Sequence, residues 1–226
     1  MGAYRGLTET VFGDIAGTAE ELGYSDANLL ILRGDRERLA VAHPEVYDKL
    51  LGCEHNYDSR DPFEYAQDLV ANWVFEDWFV AKLRERGVDI RLCGGDKDRE
   101  LLDTDLITGH SDTEVLLGGK YVSMELVLNF TGYWIRTGKI DLRDNKFVNL
   151  KRHNCLLCAI DLRYRKFAII DPSSPRTVVK YEAKHEQWGG KPCYSIILPP
   201  FELEPFCFDS VVKRLKFLEP IRSKLK

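Results

Sequence analysis

The chain has 226 residues, 44% of them hydrophobic and 30% charged, which suits a folded core and excludes a disordered polymer. A formal net charge of −4 excludes attachment to nucleic acid by bulk charge alone, while leaving room for local basic patches. No apolar run approaches the roughly 18–20 residues that span a bilayer.

The opening MGAYRGLTETVFGDIAGTAEELGYSD has no signal-like apolar core, so a cytoplasmic location is expected, away from membranes. LTETVFGDIAGTAEEL has a weak helical period. ANLLILRGD reads as a short strand, and DRERLAVAHPEVYDKLLG as a helix interrupted near Pro44. NYDSRDP is a polar break at residues 56–62. The strongest helical pattern follows, in PFEYAQDLVANWVFEDWFVAKLRERG, where apolar residues recur at three- and four-residue spacing up to Gly87.

VDIRLC reads as a strand and GGDKDRELLDTDLITGH as a long loop. SDTEVLLGGKYVSMELVLNF reads as a hairpin turning at Gly118-Gly119. YWIRTGKIDLRDNKFVNLKRH is expected as a loop and then a short helix. NCLLCAIDL and KFAIIDP are strands, YSIILP is a last strand, and FDSVVKRLKFLEPI a last helix. The order is helix–strand–strand–strand–helix–strand–strand, which predicts an α/β fold with a mixed central β-sheet flanked by helices. The expected organisation is a mostly helical segment over 1–62, a core over 63–172 and a strand–helix extension over 173–226. Six cysteines, Cys53, Cys93, Cys155, Cys158, Cys193 and Cys207, are expected to be free thiols, with no disulfide and no structural zinc. HNCLLC in particular is poorly spaced for zinc, because residues three apart on a strand face opposite ways.

A tight turn at Gly118-Gly119 pairs residues whose numbers sum to about 237, which sets Asp112 opposite Glu125. Two adjacent carboxylates repel unless a divalent cation holds them together, so metal chemistry is the natural use. Glu125 is the more telling of the two, since a Glu inside an apolar strand is rare as mere structure. Glu114, Asp103 and Asp105 are rivals for the first acid.

This constellation resembles the PD-(D/E)-x-K nuclease superfamily, the group of restriction endonucleases and Holliday junction resolvases. The family pattern is an acid at the start of one strand, a turn, and Glu-x-Lys on the next. A helix carrying a further Glu comes before, and a basic helix with two strands follows. Here Asp112 and Glu125 match the two acids, and Glu76 stands eleven residues before Gly87 in FEDWFVAKLRERGVDIRLC. LRDNKFVNLKRHNCLLCAIDLRYRKFAIIDP matches the downstream part. The resemblance covers about residues 63–172. It implies a restriction-endonuclease-like core, phosphodiester hydrolysis in DNA or RNA, and a homodimer as a common assembly. It also implies Mg²⁺ or Mn²⁺ held by Asp112, Glu125 and Glu76.

The departure is Val127, at the place of the family's lysine. That lysine helps position or deprotonate the attacking water and stabilises charge on the phosphate, and valine can do neither. Lys139 and Lys146, on the segment that returns over the strands, are the replacements expected. Lys146 is favoured because Phe147, Val148 and Leu150 would anchor it. Otherwise the ion activates water unaided, or the protein is an inactive nuclease-fold module for nucleic-acid binding or assembly. Tyr133, Trp134, Arg136 and Arg143 are expected to contact the nucleic acid, by stacking or at the backbone.

Overall fold

The computed structural model describes residues 14–52, 61–94, 98–99, 111–185, 190–198 and 203–223. Asp103, Asp105, Cys53, His110 and most of the 94–110 loop lie outside the described residues. The chain divides into two compact units. One is Met1–Ala81 with Gly94–Thr108, and the other is Lys82–Cys93 with Gly109–Lys226. These limits differ from the expected boundaries at 62 and 172.

The first unit is helical among its described residues, and its helix ends are set by local chemistry. Asp14 caps α1 (Ile15–Glu21) by accepting from the Ala16 amide. Ser25 caps α2 (Asp26–Arg33) through the Asn28 amide, and Gly34 ends it at φ 76. The apolar run in ANLLILRGD is therefore helical, a correction to the expected strand. A cap before it and a left-handed glycine after it decide a case that periodicity alone leaves ambiguous. Then come α3 (Arg36–Ala42) and α4 (Pro44–Gly52), separated at the proline as expected. Asp61 receives the Phe63 and Glu64 amides at the start of α5 (Pro62–Arg84). Leu30, Ile31, Leu39, Leu50, Phe63, Val70 and Trp73 form the core of this unit.

In the second unit the last turn of α5 closes with the Val88 amide donating to the Leu83 carbonyl at 3.1 Å, around Gly87 at φ 75. The strands of the larger sheet are β1 (Ile90–Leu92), β2 (Thr113–Leu117), β3 (Lys120–Asn129), β5 (Leu156–Asp161), β6 (Lys166–Ile170) and β9 (Glu204–Pro205). They lie side by side in that order. β2 is antiparallel to β1 and β3, β5 is parallel to β3, and β6 is antiparallel to β5. The fold is therefore α/β with a mixed sheet. Every residue of β5 is buried, as a central strand requires.

Between β3 and α7 (Asp144–Arg152) the chain forms α6 (Tyr133–Thr137) and β4 (Lys139–Arg143), where only a loop was expected. Ile140 and Leu142 alternate into the core, and that pattern needs a strand partner. The partner is β8 (Lys191–Ile197), which also pairs with β7 (Val179–His185), so a three-stranded sheet runs β4-β8-β7. That sheet joins residues on both sides of 172. Its inner face joins Phe147 and Leu150 of α7 and Leu157, Ala159, Ala168 and Ile170 of the larger sheet in one core. On β6, Phe167 and Ile169 point to the opposite face, where α8 (Phe208–Ser223) packs against β2 and β6. No helix among the described residues is long and apolar enough to cross a membrane.

Candidate functional site

The hairpin register is Thr113↔Met124 through Leu117↔Lys120, so paired numbers sum to 237 and Asp112 stands one step beyond, level with Glu125. Asp112 occupies the bend just before β2. Its backbone continues toward β1, where the Cys93 amide donates to the Asp112 carbonyl at 2.8 Å. Its side chain turns the other way. Oδ2 accepts from the Leu126 amide at 2.9 Å, taking the place of a ladder carbonyl. The Asp112 carboxylate thereby lies against the Glu125–Leu126 peptide unit.

Glu125 is 9% exposed. An ionised carboxylate in that position needs a cation, and Lys146 supplies one, with Nζ 2.5 Å from Glu125 Oε1. The cause is the packing of α7. Phe147 and Leu150 are buried in the core under the sheet, and Val127 packs against the same cluster. Glu125 and Val127 share a face of β3, opposite Leu157 and Ala159 on β5. A helix anchored there by Phe147 carries the preceding residue to the strand's carboxylate. The Lys146 side chain keeps 38% exposure, so the pair opens to solvent on one side.

Cys155, immediately before β5, is buried beside this pair. Burial, then the Glu125 charge and more weakly that of Asp112, push its thiol up to about 12. The thiol thus feels both carboxylates and is inert as a nucleophile at neutral pH.

The other expected residues have partners of their own. Lys139 does not join Asp112 and Glu125. It lies in the smaller sheet, with Nζ 3.1 Å from Glu182 Oε1 and 3.4 Å from Asp141 Oδ1. Glu76 belongs to the first unit, where Arg99 Nη1 is 2.9 Å from its Oε2, and Arg99 also binds Asp77 at 2.7 Å. The rival Glu114 is held by Arg91 at 2.6 Å, across the β1–β2 ladder. Trp134 is 6% exposed and packs within the core. Tyr133 packs on the same core, and burial, with the Asp141 carboxylate nearby, raises the pKa of its hydroxyl. Arg136 and Arg143 are exposed, and Arg136 donates to the Thr131 carbonyl at 2.6 Å. Cys155, Cys158 and Cys193 are buried free thiols, and Cys93 and Cys207 are also free.

A second polar cluster escaped the sequence reading. Asp141, His185 and Cys193 bring a carboxylate oxygen, an imidazole nitrogen and a sulfur within 4.8 Å of one another. These residues lie far apart in the sequence and on segments read as loop or left unread, so nothing local signals the cluster. No protein-family model matches the chain, and neither does any curated protein.

Proposed function

We propose that the protein is a metal-dependent nuclease that hydrolyses phosphodiester bonds in DNA, built on a restriction-endonuclease-like core. The observation that carries this reading is the approach of Lys146 to Glu125 at 2.5 Å, beside an Asp112 fixed on the next peptide unit. The resemblance to the PD-(D/E)-x-K superfamily requires a cation at a strand carboxylate. Lys146 places one there from α7, although Val127 takes the usual position. The order of α5, β1, β2, β3, α7, β5 and β6 supports the same reading, with α6 and β4 inserted before α7.

The donor set fits a hard divalent ion. Asp112 and Glu125 offer carboxylate oxygens only, the ligands that Mg²⁺ and Mn²⁺ prefer. These two residues would hold the ion. Such an ion, when bound, lowers the pKa of a water and offsets charge on the phosphate. The chain's own residues do the rest. The Leu126 amide holds the Asp112 carboxylate in place. Partial burial keeps the dielectric around Glu125 low, which strengthens its hold on a cation. Lys146, half-exposed at the rim, donates a charge-assisted hydrogen bond to the phosphate oxygen that gains charge in the transition state. The reading rests on residues of the second unit, and Glu76 is not needed for it.

The test is incubation of plasmid, linear and branched DNA with the protein and Mn²⁺, in parallel with a chelator and with Glu125→Gln. The proposal expects cleavage by the unmutated protein, loss with chelator and loss in Glu125→Gln. No cleavage on any of these substrates, or equal cleavage by Glu125→Gln, would contradict it.

A further inference from the structure

The smaller sheet buries a polar cluster on the face turned away from the core. Ile140, Leu142 and Ile196 point inward, so Lys139 and Asp141 of β4 and Cys193 and Ser195 of β8 share the outer face. Outer faces are usually solvated, yet Cys193 and Ser195 are fully buried and the Asp141 side chain is only 4% exposed.

His185 reaches this face only through an irregularity. Glu182 pairs with Cys193, and His185 pairs with Lys191, with a register shift between them. In a regular strand, residues 182 and 185 would face opposite ways. The bulge turns His185 to the side of Cys193 and Asp141, and re-aiming a side chain is a known use of bulges next to functional sites. His185 Nε2 lies 3.1 Å from Asp141 Oδ2. The other oxygen, Asp141 Oδ1, receives the Ser195 hydroxyl at 2.6 Å and has Lys139 Nζ at 3.4 Å. Ser195 also approaches Glu182 at 3.4 Å, and Glu182 holds Lys139.

We propose that Asp141, His185 and Cys193 bind a zinc ion that ties together β4, β7 and β8. Carboxylate oxygen, imidazole nitrogen and thiolate sulfur are all ordinary zinc ligands. The sulfur makes the set unsuited to Mg²⁺, so this site and the Asp112–Glu125 pair select different metals. Tetrahedral zinc with ligands at about 2.0–2.3 Å separates neighbouring donor atoms by about 3.3–3.6 Å. The 3.1 Å between His185 Nε2 and Asp141 Oδ2 is close to that span, and all three donors lie within 4.8 Å. Ser195 and Lys139 on the remaining Asp141 oxygen form the supporting shell that orients a metal-bound carboxylate. Three protein donors leave the fourth position of a tetrahedral ion to a water. One carboxylate, one thiolate and one imidazole would balance a bound dication. The burial of Cys193 rules against the rival use of a thiol, imidazole and carboxylate, which is nucleophilic attack on a substrate. The site does not depend on the nuclease reading.

The experiment is metal analysis of the full chain, purified without chelator from zinc-supplied cells, alongside Cys193→Ser and His185→Gln. Cobalt substitution of the unmutated protein is the second measurement, and it needs no variant. The proposal expects about one zinc per chain, a drop of at least fivefold in both variants, and a thiolate-to-cobalt charge-transfer band in the cobalt form. Absence of zinc together with absence of that band would overturn it, and so would equal zinc in the unmutated protein and both variants.

Discussion

Val127 and Lys146 are one arrangement seen from two residues. Val127 packs against the cluster that holds Phe147 and Leu150, and the neighbouring Lys146 meets Glu125 from above that cluster. A lysine at 127 would set its stem and charge among apolar groups while Lys146 already occupies the carboxylate. Val127→Lys is therefore expected to destabilise the protein by roughly 1–3 kcal/mol, without raising cleavage. Urea unfolding measures the first and a plasmid assay the second. A variant as stable as the unmutated protein would contradict this packing account. Asp161 offers a pH prediction at the same scale. It is fully buried, Oδ1 accepts from the Tyr164 amide at 3.0 Å, and Oδ2 has no partner among the described residues. Burial raises its carboxyl, against the Tyr164 and Arg163 amides and the charges of Arg136 and Arg163. A raised folded-state pKa means that its stabilising share is present below the unfolded value of about 3.9 and is lost as pH rises through the folded one. Relative to Asp161→Asn, the unmutated protein should lose stability between pH 3 and pH 7. Urea titrations at both pH values check this, and the opposite trend would contradict it.

At the scale of elements, α7 positions the site. Its N-terminal turn carries Lys146, and the burial of Phe147, stacked on Tyr194 at 4.5 Å between ring centroids, fixes its height over β3. Phe147→Ala is expected to cost about 3–5 kcal/mol, read by denaturant unfolding, and to lower cleavage along with the stability. A loss below about 1 kcal/mol would show that α7 is not held by this residue. The turn out of β3 depends on Gly132, at φ 71, where an added Cβ would lie 2.3 Å from the Tyr164 ring. Tyr164 is exposed and can yield, so Gly132→Ala should cost about 1–2 kcal/mol from backbone strain. Thermal unfolding measures it, and an unchanged midpoint would contradict the assignment of strain to this turn. The elements also show what the sequence made legible. The Gly118-Gly119 turn and the alternation of β3 sufficed for the register that sets Asp112 level with Glu125. α5 was readable from its apolar spacing and Gly87. α2 was misread because LLIL suits a helix or a strand equally, and the caps that decide it are single residues. β4 is not legible as a strand because five residues with two inward apolar positions give too short a pattern. β7 alternates poorly, since much of it is exposed and its bulge breaks the period before His185.

At the scale of the whole molecule, the chain holds a helical unit and a sheet-bearing unit, and the proposed chemistry lies within the second. The pairing of Asp112 with Glu125 was legible because a hairpin joins the two positions. Lys146 is favoured over Lys139 by its apolar neighbours, while the sequence does not show which way each element faces its sheet. Lys139 points to the outer face of the smaller sheet with Asp141 and Glu182, whereas Lys146 reaches Glu125. The cluster of Asp141, His185 and Cys193 was illegible for the related reason that tertiary pairing alone assembles it. The most direct test of the central claim is a Mn²⁺-dependent cleavage assay comparing Lys146→Ala with Lys139→Ala, with DNA binding measured on both. The account predicts that Lys146→Ala loses turnover on the order of 10²–10⁴-fold with nearly unchanged DNA binding, while Lys139→Ala stays within about tenfold of the unmutated protein. Full activity in Lys146→Ala, or the larger loss in Lys139→Ala, would contradict it.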